Sequence, residues 1–226
     1  MGDSLKRAAA AAAVELVRDG MLLGLGTGST ADHALELLGE RVADGLAITG
    51  VPTSERTAAR ARELGIPLRP FEPGMRLDLA IDGADEVSPQ LELIKGLGGA
   101  LLREKRVESC AEQLVIIIDD SKLVARLGRG PLPVEVAPAE ADATLVVLRA
   151  LGCEAELRQA AGTVFVTDNG NWIAHLRFAR GIPEPTALDA RLQALPGVID
   201  TGLFLGMADI VYSAGPAGVQ RLRRAP

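Results

Sequence analysis

The stretch KGLGGALLREK, residues 95–105, sets a lysine and three glycines ahead of an acid flanked by cations. That acid is Glu104. A helix over residues 99–111 strings Ala100, Glu104, Val107 and Ala111 along one stripe, at i, i+4, i+7 and i+11. The stripe is otherwise small and apolar, so it faces protein. An acid on an inward stripe is costly unless it is paired or functional. Two readings stand: a carboxylate aimed at a reacting group, or an ion pair with Arg103 or another cation. Leu102 points to the opposite side, so both sides of the helix are partly covered. Lys95 and the glycines form a flexible approach to the start of this helix.

IDGADEV sets Asp82, Asp85 and Glu86 just after an apolar strand. In open α/β sheets, ligands bind at the carboxyl ends of strands. Three carboxylates there can bind Mg²⁺, carry protons or form a solvated turn, since Asp-Gly is a common turn pair. Metal is the less attractive of these. The chain has two histidines, His33 and His175, and neither is near this motif in sequence. Both read as structural.

GLGTGST lies between a strand and a helix. Its glycines let backbone amides approach an anion, and Thr27, Ser29 and Thr30 add hydroxyls. No Lys-Ser or Lys-Thr pair closes it, so it is not a Walker loop. Its glycines run G-x-G-x-G, and the next strand ends in GVPTS without an acid for a ribose, so it misses the dinucleotide fingerprint. A small phosphorylated ligand fits better than a nucleotide. The alternative is a tight turn whose hydroxyls cap the helix. Lys122, in IDDSK, is a further cation after a strand.

The elements that carry these residues read as an α/β protein. Strand–loop–helix units repeat from MLLGLG through LAITGV and DLAIDGADEV to QLVIIID, which predicts a parallel sheet. Beyond GPLPVEVAP the texture changes to an α+β unit: a strand, a helix over 140–150, strands CEAELRQ, TVFVTD and NWIAHLRF, a helix over 186–194, and strand GVIDTGLF. ADIVYSAG and a last short helix return to the first unit. The expected domains are 1–131 with 207–226, and 132–206. The 226 residues suit one large domain or one with a smaller partner. Aromatics are only 3%, so Ala, Leu, Val and Ile must fill the core. A net charge of −6 with no basic run argues against a nucleic-acid binder. Cys110 and Cys153 form no disulfide framework or zinc pattern, which makes a reducing cytoplasm the default. Glu15 and Arg18 interrupt the N-terminal alanine run too early for a signal peptide, and no membrane span is expected.

In order and spacing, LKRAA, GLGTGST, VPTS, IDGADEV, LIKGLGGALLREK, DDSK, LPVEV, TDNGN and PGVIDTGLF resemble the ribose-5-phosphate isomerase A family over nearly the whole chain. Leu97 stands where the family usually has another glycine, a departure that removes no reactive group. The resemblance implies a Rossmann-like parallel-sheet domain with a smaller ferredoxin-like domain. It implies metal-free, cofactor-free interconversion of ribose 5-phosphate and ribulose 5-phosphate through an enediolate. Glu104 is then the base, Asp82 and Asp85 assist ring opening and hydroxyl proton transfer, and Lys95 stabilises the enediolate oxygen. Thr27, Gly28, Ser29, Thr30, Gly83, Ala84, Gly96, Gly98 and Lys122 are implied substrate- or phosphate-binding positions, with Lys6 a weaker one. A homodimer or homotetramer is implied, with no nucleic-acid or membrane partner. A sugar-phosphate-sensing module needs a helix-turn-helix for which the chain has no spare length. An amino-sugar-phosphate deaminase or a CoA transferase fits the DGADE and REK pair less well.

Overall fold

The computed structural model describes residues 2–224. Its first elements are α1 (Gly2–Val14), β1 (Leu22–Leu25), α2 (Ser29–Ala43), β2 (Thr49–Pro52), α3 (Glu55–Glu63) and β3 (Leu79–Asp82). Then come β4 (Glu86–Val87), β5 (Leu93–Ile94), α4 (Leu101–Glu108), β6 (Leu114–Asp119) and β7 (Leu132–Val136). Next are α5 (Ala141–Arg149), β8 (Glu154–Leu157), β9 (Gln159–Ala160), β10 (Thr163–Val164) and β11 (Trp172–Arg177). The series closes with α6 (Pro185–Gln193), β12 (Val198–Thr201), β13 (Leu203–Phe204), β14 (Ile210–Gly215) and β15 (Gly218–Arg223).

The chain divides into two units. One holds residues 1–84, 103–122 and 207–226, and the other holds 85–102 and 123–206. Residues 85–102 and 123–131, expected in the first unit, group with the second. The reason is pairing: β4 and β5 form a three-stranded sheet with β13, and Val124 N–H donates to the Val87 carbonyl at 3.0 Å.

In the first unit six strands run in the order β15-β14-β6-β3-β1-β2, parallel except for β15. Side chains alternate across a strand. Leu23 and Leu25 of β1, and Leu79 and Ile81 of β3, pack with Ala9, Ala10, Ala13, Leu35 and Leu38 of α1 and α2. The other face receives α4. There the sheet presents Gly24 and Ala80, small enough to admit Val107. α4 starts later and ends earlier than the expected 99–111, and its late start follows from Gly96 and Gly99, which adopt φ of +103° and +98° and hold a turn ahead of it.

One expected element changes type. The last short helix is a strand, β15, paired antiparallel with β14 across a two-residue Pro216–Ala217 turn. Gly218 supplies the positive φ of +107° that this hairpin needs. Arg221 and Arg223 on the exposed edge discourage further strand addition.

In the second unit β7-α5-β8-β11-α6-β12 forms an antiparallel sheet of order β12-β7-β11-β8, the ferredoxin-like arrangement. Leu132, Val134 and Val136 face the core with Leu145, Leu148, Leu188 and Leu192. Glu135, between them, is fully buried and takes side-chain hydrogen bonds from Thr167 (3.0 Å), Asn169 (3.2 Å) and Asn171 (2.9 Å). That explains TDNGN: it folds as a loop around a buried acid, so the expected strand TVFVTD keeps only Thr163 and Val164.

A Cβ at Gly24 would lie 2.8 Å from Ala80 Cβ and 3.2 Å from Val107 Cγ1. Gly24→Val should therefore overpack the α4 face and cost about 1–3 kcal/mol. The check is a lowered urea midpoint, partly recovered when Ala80→Gly is added.

Candidate active site

The strand order β2-β1-β3-β6-β14 turns back at β1 and β3, so the chain leaves these neighbours in opposite directions. Such a switch point opens a crevice at the carboxyl ends of the strands. Gly26–Thr30 follow β1 there, and Asp82 ends β3. By strand alternation Asp82 shares a face with Ala80, the face that α4 covers.

Asp82 is 1% exposed. Its Oδ1 accepts the N–H groups of Thr27 at 2.9 Å and Gly83 at 2.6 Å. The carboxylate packs directly on Gly26, where any Cβ would overlap it. Thr27 is engaged inside the protein: its hydroxyl meets those of Thr53 (2.7 Å), Ser54 (2.8 Å) and Thr57 (2.9 Å). Thr57 in turn donates to the Gly26 carbonyl at 2.9 Å. The hydroxyl expected to face a ligand instead locks the turn whose amide holds Asp82.

Gly28, at φ +124°, begins α2 without any side-chain cap. The positive end of this helix is thus open to an anion. Lys6 Nζ donates to Ser29 Oγ at 2.9 Å, which brings the weaker sequence candidate to this turn. Thr30 Cβ is 3.9 Å from where a Gly83 Cβ would be, so the turns after β1 and β3 touch. Ala84 follows Gly83 and is half-buried. Lys122 ends a short 3-10 turn, Asp120–Lys122, directly after β6, and is half-buried.

On α4, Glu104, Val107 and Glu108 are all buried, at positions i, i+3 and i+4 of one face. Arg103 turns aside and donates to Glu55 at 2.8 Å, holding that carboxyl below its ordinary range. Asp82, Glu104 and Glu108 each offer a carboxylate oxygen, all within 4.8 Å of one another. Oxygen donors in such a group suit a hard divalent cation or the relay of a proton. Sequence reasoning missed Glu108. The stripe Ala100, Glu104, Val107 and Ala111 leaves out Glu108, although it stands at i+4 from Glu104.

The second unit holds the remaining candidates. Asp85 accepts the Leu97 N–H at 3.0 Å. Glu86 is buried and accepts the N–H groups of Gly128 (2.7 Å), Arg129 (3.3 Å) and Gly130 (2.5 Å), a structural anchor. Lys95 is 2% exposed, with Nζ 5.3 Å from the Phe204 ring centroid and its N–H on the Gly202 carbonyl at 2.9 Å. Gly96 turns the loop at positive φ, and Gly98 is exposed with open space around it. Leu97 is absent from the positive-φ positions, so a leucine there needs no strained backbone, and its amide braces Asp85. His33 is only partly buried, and burial pushes His175 below its ordinary pKa, reinforced by Arg158 and Arg177.

Comparison with known proteins accords with this arrangement. The model of the family ribose 5-phosphate isomerase A (phosphoriboisomerase A) matches residues 49–218. A ribose-5-phosphate isomerase A from Rhodopseudomonas palustris (strain BisB18) is 51% identical over 229 residues, covering 98% of each chain. One from Gloeobacter violaceus is 53% identical over 222 residues, covering 97% of this chain and 96% of its own. Among solved structures, the ribose 5-phosphate isomerase of Plasmodium falciparum superposes with a TM-score of 0.95 at 36% identity, covering 99% of this chain and 100% of that one. A D-ribose-5-phosphate isomerase in complex with phospho-erythronic acid does so with a TM-score of 0.95 at 39% identity, with the same coverage. With its switch-point carboxylates and a match along nearly its whole length, the chain belongs to the ribose-5-phosphate isomerase A family.

Proposed function

We propose that this chain interconverts D-ribose 5-phosphate and D-ribulose 5-phosphate through an enediolate, with Glu104 as the proton carrier. The observation that carries the reading is the buried Glu104 carboxylate beside Asp82 at the carboxyl end of the sheet. The open-chain aldose has a weakly acidic C2–H next to its carbonyl. Glu104 takes this proton, the electron pair forms the C1–C2 double bond, and charge develops on the carbonyl oxygen. The same carboxylic acid returns the proton to C1. A held carboxylate gains most of its advantage from proximity.

The other roles follow from chemistry and family likeness. Lys95 and backbone amides stabilise the enediolate oxygen. Asp82 and Asp85 assist ring opening and the hydroxyl proton transfer. Gly83, Ala84, Gly96 and Gly98 let backbone lie close to the sugar. The start of α2 at Gly28, Ser29 and Thr30, with Lys6 and Lys122, takes the phosphate, while Thr27 holds that turn from behind. The phospho-erythronic acid bound by a relative is a phosphorylated sugar acid, in keeping with such a ligand. The reaction moves protons within one substrate and calls for no cofactor or metal. A homodimer or homotetramer in the cytoplasm completes the reading. Among the described residues no helix is long and apolar enough to cross a membrane.

Glu104→Gln keeps the shape and removes the basic oxygen, so turnover should fall by about 10²-fold or more with the fold intact. Near-parental turnover would return Glu104 to a structural role. Exhaustive EDTA treatment should leave activity unchanged. Loss restored by Mg²⁺ or Mn²⁺ would make Asp82, Glu104 and Glu108 a cation site. Lys122→Ala should raise KM for ribose 5-phosphate and weaken inhibition by inorganic phosphate at fixed ionic strength. If neither changes, the anion is held without Lys122.

A further inference from the structure

Arg158 lies between β8 and β9 in the second unit, and no step described above uses it. Its backbone is fixed from both sides. Its N–H donates to the Ile173 carbonyl at 2.8 Å, and its own carbonyl accepts from Phe165 at 2.9 Å. Its guanidinium carbon is 3.8 Å from the Phe165 ring centroid, within the range of a cation–π contact.

The glycine loop rests on this pair. A Cβ at Gly99 would come 3.0 Å from Arg158 Nη1 and 2.5 Å from Phe165 Cζ. Gly99 N–H closes a turn onto the Gly96 carbonyl at 2.9 Å, and Leu97 N–H in the same turn is held by Asp85 at 3.0 Å. Burial lowers the pKa of Arg158, and the charge of Asp85 opposes that shift. Nη1 is buried and makes no hydrogen bond. An orphaned buried donor is costly, and an unbranched apolar stem such as methionine would occupy part of this space without that cost. An arginine kept there needs a reason beyond packing.

We infer that Arg158 is a positioning residue for the isomerisation. Its guanidinium, held against Phe165, fixes the 96–99 turn and the Asp85 carboxylate in the geometry the reaction requires. This rests on the roles given to Asp85 and Lys95 above. Lysine is not equivalent, because a compact ammonium lacks the planar face that stacks on an aromatic ring.

The test compares Arg158→Met, which keeps an unbranched stem without charge, with Arg158→Lys, which keeps stem and charge without the planar head. In both, kcat should fall by roughly 10- to 100-fold while KM for ribose 5-phosphate stays within about twofold, as expected when reacting groups are misplaced but binding is not. The urea midpoint of Arg158→Met should equal or exceed the parental one, since the orphaned donor is gone. Adding Arg158→Met to Asp85→Asn should lose little beyond Asp85→Asn alone, because the two act as one unit. Parental kcat in either Arg158 variant would overturn the inference. So would a lowered midpoint with unchanged kcat per folded molecule, which is the mark of an arginine that only packs, or fully additive losses in the double variant. If Asp85→Asn itself turns over at the parental rate, the role of Asp85 fails first, and this inference falls with it.

Discussion

A carboxylate taken out of water needs donors and needs room, and Asp82 obtains both from its immediate neighbours. Two backbone amides, from Thr27 and Gly83, point at one of its oxygens. The absence of a side chain at Gly26 provides the space. The rest of the first unit serves this arrangement. The Thr27, Thr53, Ser54 and Thr57 hydroxyls fix the turn that donates one of those amides. Gly24 and Ala80 lower the sheet surface so that α4 approaches and brings Glu104 alongside. Carboxylate oxygens within 4.8 Å of one another repel when both are ionised. Donors to the carboxylates are therefore a condition of the site's existence.

The second unit also buries acids. Glu86 accepts backbone amides, and one oxygen of Glu135 accepts three side-chain donors. Each ties a loop to a strand. Asp85 is intermediate in kind. It is half-buried and braces the glycine loop through Leu97. Burial alone therefore does not mark out a functional carboxylate, since acids of both units are buried and accept the protein's own donors.

Much of this was legible in the sequence. Unalternating apolar runs gave β1, β3 and β6, and the helical stripe through Glu104 gave its inward orientation. What was not legible depended on contacts distant in sequence. Glu86 looked equivalent to Asp82 and Asp85 because the amides of residues 128–130 that claim it lie some forty positions away. Thr27 looked like a ligand donor because its partners sit on the far side of β2 in sequence. Glu108 followed from helix periodicity and needed only a consistent count. The residues after Gly215 looked helical because Gln, Arg and Leu favour helices, yet pairing with β14 overrode that preference. The domain boundary was blurred because two-residue strands such as β4 and β5 leave almost no periodic signal.

The chain passes between the two units four times, after residues 84, 102, 122 and 206. Synthesis on a ribosome therefore cannot finish the first unit before the second has been made. β6 needs β14 as its parallel neighbour, and residues 123–206 of the other unit intervene. Until residues 207–224 emerge, the Leu114–Asp119 edge is an unpaired run of leucine, valine and isoleucine. Nascent chains in that interval present an aggregation-prone strand, and a stall or truncation there leaves it permanently open.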